Sequence, residues 1–104
     1  MNYAAYSGHP DVPDFGAVAG GTLSRKDSGV FEYIFTGDDD YRSSWNKYLE
    51  ILDICGFKFR GRASAKKSPY LKLKLFSPEH NVIIILGSAS GGYVVSVEIE
   101  YGSI

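Results

Sequence analysis

Two histidines, one cysteine and a run of three aspartates are the residues of this chain best able to do chemistry, and their spacing decides whether they can. His9, with Asp11 and Asp14 nearby, and His80, after Glu79, stand far apart in the sequence. Structural zinc sites draw on closely spaced Cys and His ligands. No such spacing occurs, so both histidines read as solvated loop residues and no metal is expected. Cys55 falls where a helix is expected to end, and there the helix dipole disfavours a thiolate. It reads as a small buried hydrophobe, and a single cysteine excludes an internal disulfide. Asp38-Asp39-Asp40 lacks the alternating acids, central Gly and distal Glu of a calcium loop and reads as a helix cap. Gly87-Ser88-Ala89-Ser90-Gly91-Gly92 is followed by Tyr93 and a strand, where a phosphate loop needs Lys-Ser/Thr and a helix. No Gly-x-Ser-x-Gly elbow is present. The expectation is a chain that is not an enzyme and carries no cofactor.

One feature stands above this background. Seven of the eleven basic residues, Lys58, Arg60, Arg62, Lys66, Lys67, Lys72 and Lys74, fall within 58–74, and no acid occurs between Asp53 and Glu79. Strand alternation puts Lys58, Arg60 and Arg62 on one face, and Tyr70, Lys72 and Lys74 on one face of the next strand. If those faces coincide, they form a basic patch with an aromatic edge, able to attract anionic polymers or nucleic acid. The competing reading is a solvated face partly paired by Glu32, Glu98 and Glu100, since opposite charges on neighbouring strands stabilise a sheet. Whether Glu98 and Glu100 neutralise the lysines decides between the two.

The elements that must position these side chains follow from periodicity. Residues 1–21 carry Gly8, Pro10, Pro13, Gly16, Gly20 and Gly21, too many breakers for a regular element. They read as an extended arm docked through Phe15, Val18 and Tyr3 or Tyr6. Strands are expected over 22–26 and 30–35 around the turn Asp27-Ser28-Gly29. Tyr41, Trp45, Tyr48, Leu49, Leu52 and Cys55 recur at the helical period and predict an amphipathic helix over 41–55, with Gly56 at the left-handed C′ position and Phe57 packed back. Beyond it the period becomes two. Strands are expected over 57–63, with Phe57, Phe59, Gly61 and Ala63 inward, and over 70–76, with Leu71, Leu73 and Leu75 inward. Two more are expected over 82–86, apolar on both faces, and 93–101, with Tyr93, Val95, Val97, Ile99 and Tyr101 inward. Loops fall at 64–69, 77–81 and 87–92. Short connections favour antiparallel neighbours. The class is α+β, one helix on a mainly antiparallel sheet of four to six strands in the order ββ-α-ββββ.

Composition bounds the remainder. The 104 residues suit one domain. A hydrophobic share of 44 % with a net charge of −1 argues against wholesale disorder. The longest apolar run, Val82 to Leu86, is far shorter than the roughly 20 residues of a spanning helix. The opening residues lack the basic start and apolar stretch of a secretory signal. Two accounts stay open: a cytoplasmic protein, or an exported one whose signal has been removed.

Pro13-Asp14-Phe15-Gly16 with Gly20, a helix carrying Lys47-Tyr48-Leu49 and Leu52 and ending Gly56-Phe57, then alternating strands, resemble small domains of uncharacterised secreted or lipid-anchored proteins of Gram-positive bacteria. The resemblance implies an extracellular or envelope module with no catalytic residues to carry over. The functional expectation is therefore a non-catalytic binding module, with a protein or anionic polymer as partner. The alternative is a nucleic-acid or anionic-polymer domain using Lys58, Arg60, Arg62, Tyr70, Lys72 and Lys74. Self-association through an edge strand or the arm is also open.

Overall fold

The computed structural model describes residues 2–35, 41–62, 71–88 and 93–102, with the backbone but not the side chain of Leu71. Along the chain come β1 (Ala5–Tyr6), β2 (His9–Pro13), α1 (Phe15–Val18), β3 (Thr22–Asp27), β4 (Val30–Ile34), α2 (Tyr41–Ile54), β5 (Lys58–Arg62), β6 (Leu71–Ser77), β7 (Val82–Ser88) and β8 (Val94–Tyr101). The last six strands form one antiparallel sheet in the order β3-β4-β8-β7-β6-β5, and β1 with β2 forms a separate ribbon. The fold is α+β, as the periodicity predicts, with two additional strands and a short helix at the N-terminus.

Alternation along the strands builds the core on one sheet face. Phe31 and Tyr33 of β4, Val95, Val97 and Ile99 of β8, Val82, Ile84 and Leu86 of β7 and Leu75 of β6 form the inner rows. Onto them α2 lays Trp45, Tyr48 and Leu52, with Tyr41, Leu49 and Cys55 partly buried beside them. Ile51 is buried as well, whereas Ile54 is 70 % exposed. The expected caps Asp38 to Asp40 lie outside the described residues. At the other end the helix closes as a Schellman motif: Phe57 N–H donates to Leu52 O at 2.9 Å and Gly56 N–H to Asp53 O at 3.0 Å. Gly56 has φ +92°, the left-handed conformation this stop requires. Phe57 is then fully buried in the core.

The N-terminal segment departs from the expected irregular arm. Residues 5–13 form a ribbon that tolerates Pro10 and Pro13, because a two-stranded sheet has only edges and a proline there need not donate. Asp14 caps α1, accepting from Ala17 N–H at 3.2 Å. Phe15 is driven between Tyr33, with ring centroids 5.0 Å apart, and Tyr48, at 4.9 Å. The docking itself is as expected, with Tyr6, Val12 and Phe15 all buried.

Three further boundaries differ from the sequence reading. Strand β7 runs on through Gly87 and Ser88, which pair with Lys72 and Leu71 on one side and Ser96 and Val95 on the other. Tyr93, just before β8, and Tyr101, its last residue, are expected inward but are 59 % and 60 % exposed. Cys55 is half-buried rather than buried.

Tyr48 joins the cover to the helix. Its hydroxyl donates to the Pro13 carbonyl at 2.6 Å, and the side chain is fully buried. Tyr48→Phe leaves that carbonyl unpaired in the core, so unfolding stability should fall by about 1–2 kcal/mol. The shift of the urea midpoint measures it; an unchanged midpoint would show that the bond does not hold the cover.

Candidate interaction face

The inner face of the sheet is closed by α2 and the N-terminal segment, which leaves the outer face to be described. Residues that are register partners share a face, so the pairing defines its rows. One row runs Val30, Glu98, Ile85, Lys74 across β4, β8, β7 and β6. The next runs Glu100, Ile83, Phe76, Lys58 across β8, β7, β6 and β5. On the other side lies Arg25, Glu32, Ser96, Gly87, Lys72. The acids of β8 and the lysines of β6 thus stand on either side of the isoleucines of β7.

This arrangement answers the question of neutralisation. Strands two apart in a sheet are separated by about 9–10 Å, and Ile83 and Ile85 stand between the two charged rows. Among the described residues no ion pair joins Lys58, Lys72 or Lys74 to Glu98 or Glu100. Glu32 is engaged elsewhere, accepting from Arg25 at 3.0 Å, while Asp27 lies 3.4 Å from the same guanidinium. Phe76 and Ile83 are only 8 % exposed although their register places them in an outer row. Lys72, Lys74, Ile85 and Glu98 are half-buried.

The expected basic patch is only partly assembled. Lys58, Lys72 and Lys74 share the outer face. Regular alternation would add Arg62, but β5 carries a bulge between Phe59 and Arg62, with Gly61 at φ +98°. The extra residue turns Arg62 to pair with Leu73, on the inner row; Arg60 falls in the bulge itself. Phe59 pairs with Leu75 of the inner row, yet it is 60 % exposed, because β5 is an edge strand that the helix does not reach. Tyr70 lies outside the described residues. Linear alternation could not reveal the bulge, although an isolated glycine in a strand is its usual signal.

Two clefts were not foreseen in the sequence. One, of about 440 Å³, is lined by Asn2, Tyr3, Pro10, Asp11, Ile54, Cys55, Glu79 and His80. His80 was expected to be a solvated loop residue; its Nδ1 lies 3.6 Å from Asp11 Oδ1, and its Nε2 lies 3.9 Å from Glu79 Oε2. Opposite ring nitrogens cannot share one ion with both acids. Among the described residues no group of three or more ligating side chains is placed to hold a metal. Burial raises the Cys55 thiol pKa, which favours the unreactive form. His9, a loop residue by the sequence pattern, belongs to β2. Its Nδ1 is hydrogen-bonded to the Tyr101 hydroxyl, and the two rings stack.

The second cleft, about 340 Å³, lies beside Asp14, Lys26, Phe31, Tyr6 and Tyr33. Its wall is a relay: Phe15 N–H donates to Tyr6 Oη at 3.2 Å, Tyr6 donates to Tyr33 Oη at 2.6 Å, and Tyr33 donates to Asp14 Oδ1 at 3.4 Å. The phenols resist ionisation. Burial, with the Asp14 charge adding to it, pushes Tyr33 up to about 12, and burial raises Tyr6 and Tyr48 further. The relay therefore holds protons at neutral pH and ties β1 and α1 to β4. Its aromatic members are almost wholly buried and offer a ligand little surface.

Comparisons of the chain with protein-family models, curated proteins and solved structures gave no match.

The relay sets an alkaline limit on stability. A folded phenol with a raised pKa holds its proton after the unfolded one, near pH 10, has lost it. Stability contributed by Tyr6, Tyr33 and Tyr48 is complete below about pH 10 and is lost as pH rises, through about 12 for Tyr33. A spectrophotometric titration should show three tyrosines ionising only together with loss of the far-ultraviolet circular dichroism signal. Reversible ionisation of all eight tyrosines in the folded protein would contradict the buried relay.

Proposed function

We propose that this chain is a non-catalytic interaction module that works through the outer face of its six-stranded sheet. One observation carries the reading: Glu98 and Glu100 on β8 and Lys72 and Lys74 on β6 flank Ile83 and Ile85 of β7, and among the described residues they do not pair. A surface that serves only solubility intersperses its charges. Segregated rows beside an apolar strip instead provide complementarity at the rim and desolvation at the centre. The clefts support a binding site less well, since each is walled by groups already bonded to one another. The envelope association implied by the resemblance above is part of the same proposal, because such a module needs no catalytic set.

A second reading draws on Lys58, Arg60, Lys72 and Lys74 alone, as a strip for an anionic polymer. The absence of acidic partners for the lysines among the described residues favours it. Phe59, exposed at the same sheet edge, supplies a ring of the kind on which a nucleic-acid base stacks.

Amide resonances test the reading directly. Isotope-labelled protein is titrated with single-stranded nucleic acid, an anionic wall polymer and a neutral glycan, and is separately concentrated in their absence. Shifts centred on Lys72, Lys74, Ile85, Ser96 and Glu98 are expected in at least one series. Shifts confined to Asp11, Cys55 and His80, or none in any series, would refute it.

A further inference from the structure

We infer that the partner of the outer face is a second copy of this chain, seated face to face about a two-fold axis running along β7. The inference rests on the proposed role of that face and names its occupant. A rotation about β7 carries the β8 side of one sheet over the β6 side of the other. It sets Ile85 against Ile85 and brings Lys74 of each copy over Glu98 of its mate, because all three belong to one row. Lys72, one row further, comes over Ser96, beside Glu98 and Glu32 of the other copy. A two-fold axis perpendicular to the strands would stack β8 on β8 and oppose like charges. The charge pattern therefore selects one self-complementary geometry, which is what an isologous interface requires.

Size and edges agree with this choice. About an axis on β7, β8 covers β6 and β4 covers β5, so five strands of each copy overlap and β3 does not. Their 32 residues, spaced about 4.8 Å apart and rising about 3.3 Å per residue, present roughly 500 Å² per copy. The total, roughly 1,000 Å², is the size of a small interface and suits a weak, reversible dimer. Facing sheets pack about 10 Å apart, and Ile85, the half-exposed residue of the outer row of β7, lies at the centre of the contact. The edges suit association less. β3 carries Arg25, Lys26 and Asp27 and a register shift between Leu23 and Arg25. β5 carries Lys58, Arg60 and Arg62 and the Gly61 bulge. Charges and bulges are the devices that keep edge strands from pairing.

Sedimentation equilibrium on the whole chain provides the test. The protein should be dimeric at submillimolar concentration, with a dissociation constant that rises with salt. The paired variants Lys72→Glu with Lys74→Glu, and Glu98→Lys with Glu100→Lys, should each weaken self-association by at least about tenfold. An equimolar mixture of the two should restore it as a heterodimer, since the β6 and β8 rows are then acidic on one copy and basic on the other. Circular dichroism confirms that both variants fold; should either fail, single substitution of Lys74 or Glu98 keeps the test open. Dimers that ignore both charge reversals use another surface, and the inference is wrong. A wild type that stays monomeric also overturns it. In that case, polymer-induced shifts on the same face would leave the interaction-module reading standing, and their absence would remove both.

Discussion

The structure depends on covering a broad apolar sheet face with very little chain. Six strands span about 25–30 Å, and a single helix with its side chains is about 10–12 Å across. The helix α2 can therefore seal only part of the inner rows. The remainder falls to the N-terminal segment, which is why a stretch rich in proline and glycine is folded and packed. Phe15 supplies the wedge, in contact with rings of both sheet and helix. The Tyr48 hydroxyl on Pro13 O and the Tyr6–Tyr33–Asp14 relay satisfy the polar groups that this packing takes out of water. A buried phenol without such a partner carries a desolvation cost that offsets the burial of its ring.

The other face follows from strand order. β5, β6, β7 and β8 form a meander in which each strand pairs with the next. A charge gradient along the chain, basic over 58–74 and acidic at Glu98 and Glu100, becomes a charge gradient across the sheet. β7 lies between the two and carries neither sign. It is apolar on both faces for two reasons: its inner row enters the core, and its outer row separates acids from bases. Beyond β8, β4 and β3 restore a mixed surface through Arg25 and its two carboxylates.

Much of this arrangement was legible in linear form. The stripe Tyr41, Trp45, Tyr48, Leu49, Leu52 has one physical solution, a helix on a sheet, and Gly56-Phe57 marks its end because few residues besides glycine take that stop at low cost. Strand alternation over Leu71 to Phe76 and Tyr93 to Tyr101 placed the inner rows correctly except at their ends. The failures share a cause. Arg62 is assigned by a period of two, which a one-residue bulge after Phe59 breaks. His80 and Asp11 are brought together only by tertiary contact, since they belong to the N-terminal ribbon and a distant turn. Pro10 and Pro13 suggested irregular chain because local signals do not say whether a strand must donate on both sides.

What the sequence determined by itself was the set of elements and the side of each that seeks the core, because burial of apolar surface acts on periodicity and periodicity is local. What only the tertiary structure decided was which strands become neighbours, which strand ends as an edge and where a register slips. Those outcomes depend on long-range pairing, in which each strand answers to a partner elsewhere in the chain. The separation of Glu98 from Lys74 by the width of one strand is such an outcome. It arises from strand order, and among the described residues the two charges do not pair.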